Sequence, residues 1–188
     1  MPLLTILAGP NGSGKSTITG RFKFEGPENL LDPDAIAKQI DPEDPSRAAL
    51  KAGREAIRRT REYLRNGLSF VIETTLSGSG NLETMKTARE RGFVVWLVYI
   101  CVGNPEKNIQ RVRQRFAQGG HDVPDEDIRR RYERSLENLP AALRLANDAW
   151  LYDNSGDEPR LVLETREGIV VWRAEDEPAW VARALEAL

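Results

Sequence analysis

The stretch "LLTILAGPNGSGKST", residues 3–17, leaves this chain few folds to choose from. An apolar run of buried-strand type enters a turn holding Gly9, Gly12 and Gly14, and Lys15, Ser16 and Thr17 then open a helical pattern. Gly9, Gly14, Lys15 and Ser16 satisfy the spacing G-x-x-x-x-G-K-[ST] in a strand–turn–helix context. Glycines let backbone N–H groups converge on phosphate oxygens with no Cβ in the way. The helix N-terminus adds a favourable dipole at the same point. Gly9, Asn11, Gly12, Ser13, Gly14, Lys15, Ser16 and Thr17 therefore form a nucleoside triphosphate cradle. In it Lys15 reaches the β- and γ-phosphates and the Ser16 hydroxyl ligates Mg²⁺.

Downstream, apolar runs alternate with amphipathic charged segments. Strands are expected at 3–8, in "NLL", at 69–74, in "FVVWLVYICV" and at 149–153. Helices are expected from about Lys15 to Phe22, after "DPD", and from Ser46 as N-cap to an Asn66-Gly67 stop with Leu50, Ile57 and Leu64 on one stripe. Further helices are expected at 81–91, 105–118, 125–138 and 140–147. "RLVLETREGIVVWR" reads as an edge hairpin, followed by a helix from about Glu177. Trp96, Tyr99, Cys101, Trp150, Trp172 and Trp180 read as core. The expected fold is α/β of the P-loop NTPase type. It is one domain over 1–188: a mainly parallel five-stranded sheet with helices on both faces, a helical lid at about 113–135, and a C-terminal hairpin and helix at 159–188. Ligands bind at the carboxyl ends of strands in such sheets, which directs attention to the residues after each strand.

The second strand leads to Asp32 and Asp34, and the third ends at Glu73 with Thr74 and Thr75 beside it. Phosphoryl transfer to a small molecule needs a carboxylate near the acceptor hydroxyl, cations over the moving phosphoryl group, and a lid that excludes water. Asp34 fits the first need; its competing role is a helix cap, which Asp32 fits at least as well with Pro33 next to it. Glu73 is the best acidic group for the Mg²⁺ shell or the acceptor. "RVRQRFAQGGHDVPDEDIRRRYERS" supplies the lid, with Gly119-Gly120 as hinge. Arg115, with Arg130 or Arg131 or both, would meet phosphate, while Arg129 reads as a solvated partner of nearby acids. His121 contacts phosphate or acceptor, or caps the turn. After the fifth strand, Asn154 lies beside the nucleotide base or closes an Asx turn.

Charge and cysteine count narrow the rest. With 27 basic and 29 acidic residues, a net charge of -2 offers no electrostatic footprint for nucleic acid or an anionic membrane. One cysteine allows no disulfide within the chain, which fits a reducing cytoplasm. "GFVVWLVYICVG" is too short to span a bilayer as a helix, and the first apolar run lacks a basic leader. A soluble cytoplasmic protein is expected.

Taken in order, "GPNGSGKST", "LLDPDAIA", "FVIETTLSG", "RVRQRFAQGGHDVPDEDIRRRYERSLENL" and "YDNSG" resemble the zeta-toxin family of P-loop kinases. They are most similar to its short, chromosomally encoded members, over residues 3 to about 156. The resemblance implies ATP and Mg²⁺ as ligands and phosphorylation of the 3′-hydroxyl of UDP-N-acetylglucosamine. It makes Lys15 the phosphate lysine, Ser16 the metal hydroxyl and Asp34 the base. It sets Glu73, Thr74 and Thr75 near the acceptor and Arg115 and Arg131 on phosphate, and it implies an antitoxin partner. The residues alone equally serve a kinase of another sugar, a nucleotide or an antibiotic, or a nucleotide-binding regulator with slow hydrolysis.

Overall fold

The structure, a computed structural model, describes residues 1–19, 29–118 and 123–188. Its centre is a seven-stranded sheet of order β2-β3-β1-β4-β5-β6-β7. The strands are β1 (Leu3–Ala8), β2 (Leu30–Leu31), β3 (Phe70–Thr74), β4 (Val94–Cys101), β5 (Asp148–Asp153), β6 (Arg160–Arg166) and β7 (Ile169–Arg173). The first five pair in parallel, and β6 and β7 close one edge as an antiparallel hairpin. Every residue of β1 is buried, as the near-continuous apolar run of a parallel strand covered on both faces requires. The chain steps from β1 to β3 on one side and to β4 on the other, so the order reverses at β1 and opens a crevice at its carboxyl end.

Helices α1 (Lys15–Thr19), α2 (Pro33–Ile40), α3 (Pro45–Asn66), α4 (Gly80–Glu90), α5 (Pro105–Ala117), α6 (Asp125–Leu145) and α7 (Ala179–Glu186) cover the sheet. The larger core joins Leu4, Ile6, Tyr99 and Leu151 to Met85 of α4, Leu139 and Leu143 of α6, and Trp180 and Val181 of α7. On the opposite face Leu7, Val71, Val98 and Ile100 pack around Ile18 of α1. Among the described residues, no helix is long and apolar enough to cross a membrane.

Several elements differ from their sequence reading. One helix, α6, replaces the expected pair at 125–138 and 140–147, with Pro140 inside it. The lost backbone hydrogen bond is outweighed by burial of Leu136, Leu139, Pro140, Ala142 and Leu143 on one continuous face. The N-cap of α3 is Asp44, not Ser46, because Pro45 takes the first helical position. The buried face of α3 is Ala48, Ala52 and Leu64, while Leu50 and Ile57 face solvent. Trp180 is buried, but Trp172 stands exposed on β7, the edge strand whose five residues are all exposed.

Cys101 is fully buried, and that burial pushes its thiol up to about 12. Since the thiolate is the reactive form, native protein should resist a disulfide-exchange reagent at neutral pH and react once unfolded in guanidinium. Rapid labelling of the native protein would contradict this packing.

Candidate active site

The loop after β1 is held from behind by two asparagines on other elements. Asn108 of α5 donates from Nδ2 to the Asn11 carbonyl at 2.6 Å, and Asn154, just past β5, donates to the Ser13 carbonyl at 2.8 Å. Both contacts need a missing side chain on the loop. A Cβ at Gly12 would lie 2.5 Å from the Asn108 carbonyl oxygen, and one at Gly14 would lie 2.2 Å from Asn154 Nδ2. Both glycines also have positive φ, 73° and 93°. Gly14→Ala is therefore expected to weaken nucleotide binding by at least about tenfold while the far end of the sheet stays folded. Titration with a fluorescent ATP analogue checks this, and unchanged affinity would remove the need for glycine here.

Lys15 starts α1, and its ammonium donates to the carbonyls of Gly9 at 2.7 Å and Pro10 at 3.2 Å. Burial lowers its pKa, with the charges of Glu73 and Asp34 acting to restore it. The Glu73 carboxyl is pushed up, mainly by burial, with Asp32 and Asp34 adding to the rise and Lys15 and Arg115 opposing it. These groups thus form one mutually felt cluster at the crevice, two cations facing three carboxylates.

Two cavities meet at Glu73. A phosphate-facing one of about 330 Å³ is lined by the loop glycines Gly12 and Gly14, by Lys15, Ser16 and Thr17, and by Arg111, Arg115 and Asn154. A larger one of about 620 Å³ lies between α3 and α4, lined by Leu31, Ile57, Arg61, Thr74 and Asn81 among others. Glu73 lines both. Asp34 sits in the first turn of α2, which Asp32 caps by accepting from the Asp34 N–H at 2.9 Å. The cap thus uses Asp32 and leaves the Asp34 carboxylate exposed beside the cluster.

The residues expected to form a lid separate into groups. Arg115 reaches the phosphate cavity. Arg131 donates to Asn11 Oδ1 at 3.4 Å and lies 3.9 Å from Asp127, so it stands against the loop's outer side. Arg130 instead pairs with Asp127 at 2.8 Å on the exposed face of α6, away from both cavities. Arg113 pairs with Asp125, and Arg129 holds Glu106 with two hydrogen bonds. Gly119, Gly120 and His121 lie outside the described residues. Thr74 faces the larger cavity, but its hydroxyl already accepts from Leu76 N–H and Asn81 Nδ2. Thr75 pairs with Ser77 at 2.8 Å and lines neither cavity. Leu76, at φ 57° and fully buried, fixes this turn, and its carbonyl accepts from Asn138 of α6.

Sequence reading missed Asn108 and Arg111. Arg111 lines the phosphate cavity and donates to the Asn154 carbonyl at 3.0 Å. The signal was present: 108, 111 and 115 recur at helical spacing and share one face of α5. Among the described residues no group of three His, Cys, Asp or Glu is placed to hold a metal by itself. Ser16 and Glu73 line the same cavity, and Mg²⁺ commonly takes one or two protein oxygens and completes its shell with phosphate and water.

A parallel sheet whose order reverses at β1, with a glycine cradle at the turning point and helices over it, is the architecture of the P-loop NTPases. The chain belongs to the family AAA_33, described as an AAA domain, which its residues 4–139 match. An uncharacterized protein of Haemophilus influenzae is 40% identical over 124 residues, covering 66% of this chain and 88% of that protein. The AvrRxo1-ORF1:AvrRxo1-ORF2 complex with sulphate ions superposes with TM-score 0.71 at 18% identity, over 98% of this chain and 64% of that one. Its form with ATP gives 0.59 at 18% identity, over 90% and 60%. The PezAT chromosomal toxin-antitoxin system of Streptococcus pneumoniae gives 0.63 at 16% identity, over 100% and 85%. At these identities the likeness is one of fold, and the chain spans about two thirds or less of the AvrRxo1 chains it matches.

Proposed function

We propose that the protein is an ATP-dependent phosphotransferase that moves the γ-phosphoryl group of ATP to a hydroxyl of a small acceptor. The observation that carries this reading is Glu73 lining both the phosphate cavity and the larger cavity next to it. A donor site and an acceptor-sized site thus share a wall at the point where a phosphoryl group would cross. The larger cavity falls in the size range of small-molecule sites. The ATP-bound form of the AvrRxo1 complex, of the same fold, supports ATP as donor.

Lys15 neutralises charge on the β- and γ-phosphates, and Arg115 from α5 does so from the other side of the cavity. Ser16 and Glu73 would hold Mg²⁺, which when bound neutralises phosphate charge and fixes its geometry. Asp34 accepts the acceptor's proton as its oxygen bonds to phosphorus and the bond from phosphorus to ADP breaks. Arg131 braces Asn11 and so ties the lid helix to the cradle. Thr74 and Asn81 shape the acceptor cavity.

For the acceptor we favour UDP-N-acetylglucosamine, on the ordered motif resemblance to zeta toxins. The PezAT neighbour supports an antitoxin as protein partner. Purified protein with ATP, Mg²⁺ and UDP-N-acetylglucosamine should yield a sugar nucleotide heavier by one phosphoryl group, and chelation with EDTA should abolish the product. ATP bound and no product with this sugar would move the acceptor to another hydroxyl compound. Product formed at full rate in EDTA would remove Ser16 and Glu73 from metal binding.

A further inference from the structure

The outer face of α3 carries a stripe that the core does not use and that meets the cavity beside Glu73 only through Ile57 and Arg61. Leu50, Arg54, Ile57, Arg61 and Arg65 recur at three- and four-residue spacing, so they share one solvent-facing arc of the helix. Leu50 is 70% exposed and Ile57 54% exposed. Between α3 and the end of α4 a shallow groove of about 860 Å³ is lined by Ile57, by Arg54, Arg58, Arg61, Arg65 and Arg91, and by one acidic residue, Glu62. Arg58 is held by Glu55 and Glu62. Among the described residues, Arg54, Arg61, Arg65 and Arg91 have no side-chain ion-pair partner. Helix α3 holds seven basic residues against two glutamates, in a chain whose net charge is -2.

This face therefore offers two kinds of chemistry on one helix. Exposed aliphatics two turns apart are the spacing at which an amphipathic helix sets its anchors. Unpaired guanidiniums beside them call for carboxylates. A nucleic acid would satisfy the arginines and leave Leu50 and Ile57 wet. We infer that the α3 groove docks an acidic amphipathic helix of a partner protein, its apolar spine on Leu50 and Ile57 and its carboxylates on Arg54, Arg61, Arg65 and Arg91. Ile57 and Arg61 line this groove and the larger cavity beside Glu73 alike, so the docked helix borders that cavity.

The test uses the full chain and a fluorescein-labelled peptide of about 18 residues, helix-forming, with leucines along one face and glutamates on both flanks. Anisotropy should show saturable binding that weakens at least about tenfold between roughly 0.05 and 0.3 M salt. The double variant Arg54→Glu/Arg65→Glu should bind at least about tenfold more weakly, and Leu50→Asp about threefold more weakly, with unchanged melting temperatures. Both variants should bind the fluorescent ATP analogue like wild type, since none of these side chains touches the phosphate cavity. No saturable binding by wild type, equal binding of a scrambled peptide, or full affinity in Arg54→Glu/Arg65→Glu overturns the proposal. Displacement of the peptide by a lower concentration of single-stranded RNA overturns it in favour of a nucleic acid occupant.

Discussion

Lys15→Ala is expected to lower kcat/KM for phosphoryl transfer by about 10²–10³-fold or more. The ammonium is already partly desolvated and aimed by the carbonyls of Gly9 and Pro10, at 2.7 and 3.2 Å. Burial has lowered its pKa, and the carboxylates of Glu73 and Asp34 favour its charged form. Desolvation is thus already met in the folded protein, and a phosphate arriving in the cavity meets a positioned cation without reorganising it. Alanine removes that charge from a cavity whose other lining cations are Arg111 and Arg115. Steady-state kinetics with a melting-temperature control check the claim. A loss below about tenfold in a folded variant would mean that another group carries the phosphate charge.

Asp34→Ala is expected to separate binding from chemistry. Turnover should fall by about 10²–10⁴-fold, the range for losing a positioned acid–base group, while ATP affinity stays within about twofold. The structure gives this variant an internal control. Asp32, not Asp34, caps α2, so Asp32→Ala should cost about 1 kcal/mol of stability, whereas Asp34→Ala should cost little. Normal turnover in Asp34→Ala would take the base away from this residue and leave Glu73 as the remaining carboxylate shared by both cavities.

What was legible in the sequence follows from where each signal is local. The cradle was readable because strand, glycines, lysine and helix are contiguous, and its backbone geometry is dictated by Gly12 and Gly14 themselves. The parallel sheet and its edge hairpin were readable from alternating segment types, since buried strands show as apolar runs. Helix faces were less legible where packing decides. Leu50, Ile57 and Leu64 read as one apolar stripe, yet the buried side of α3 carries Ala48 and Ala52, whose small side chains let α2 approach. Pro140 read as a break, but a helix buried along five nearby positions tolerates it. The residues alone left Arg130 and Arg131 equivalent, and only the family resemblance singled out Arg131. Consecutive helical residues differ by about 100°, and only the placement of α6 over the loop sends Arg131 to Asn11 and Arg130 to Asp127. Helical spacing put Asn108 on the face of Arg111 and Arg115, but its bond to the Asn11 carbonyl, made across 97 residues of chain, was not legible.

The measurement to make is phosphoryl tracing with ATP carrying ¹⁸O on the γ-phosphate, in Mg²⁺, with a desalted small-molecule extract as acceptor pool. Mass spectrometry should find labelled phosphate esterified to one hydroxyl compound with wild-type protein, and none with Lys15→Ala or Asp34→Ala. Label appearing only in inorganic phosphate, at a rate the extract does not change, would contradict phosphoryl transfer and leave a nucleotide hydrolase.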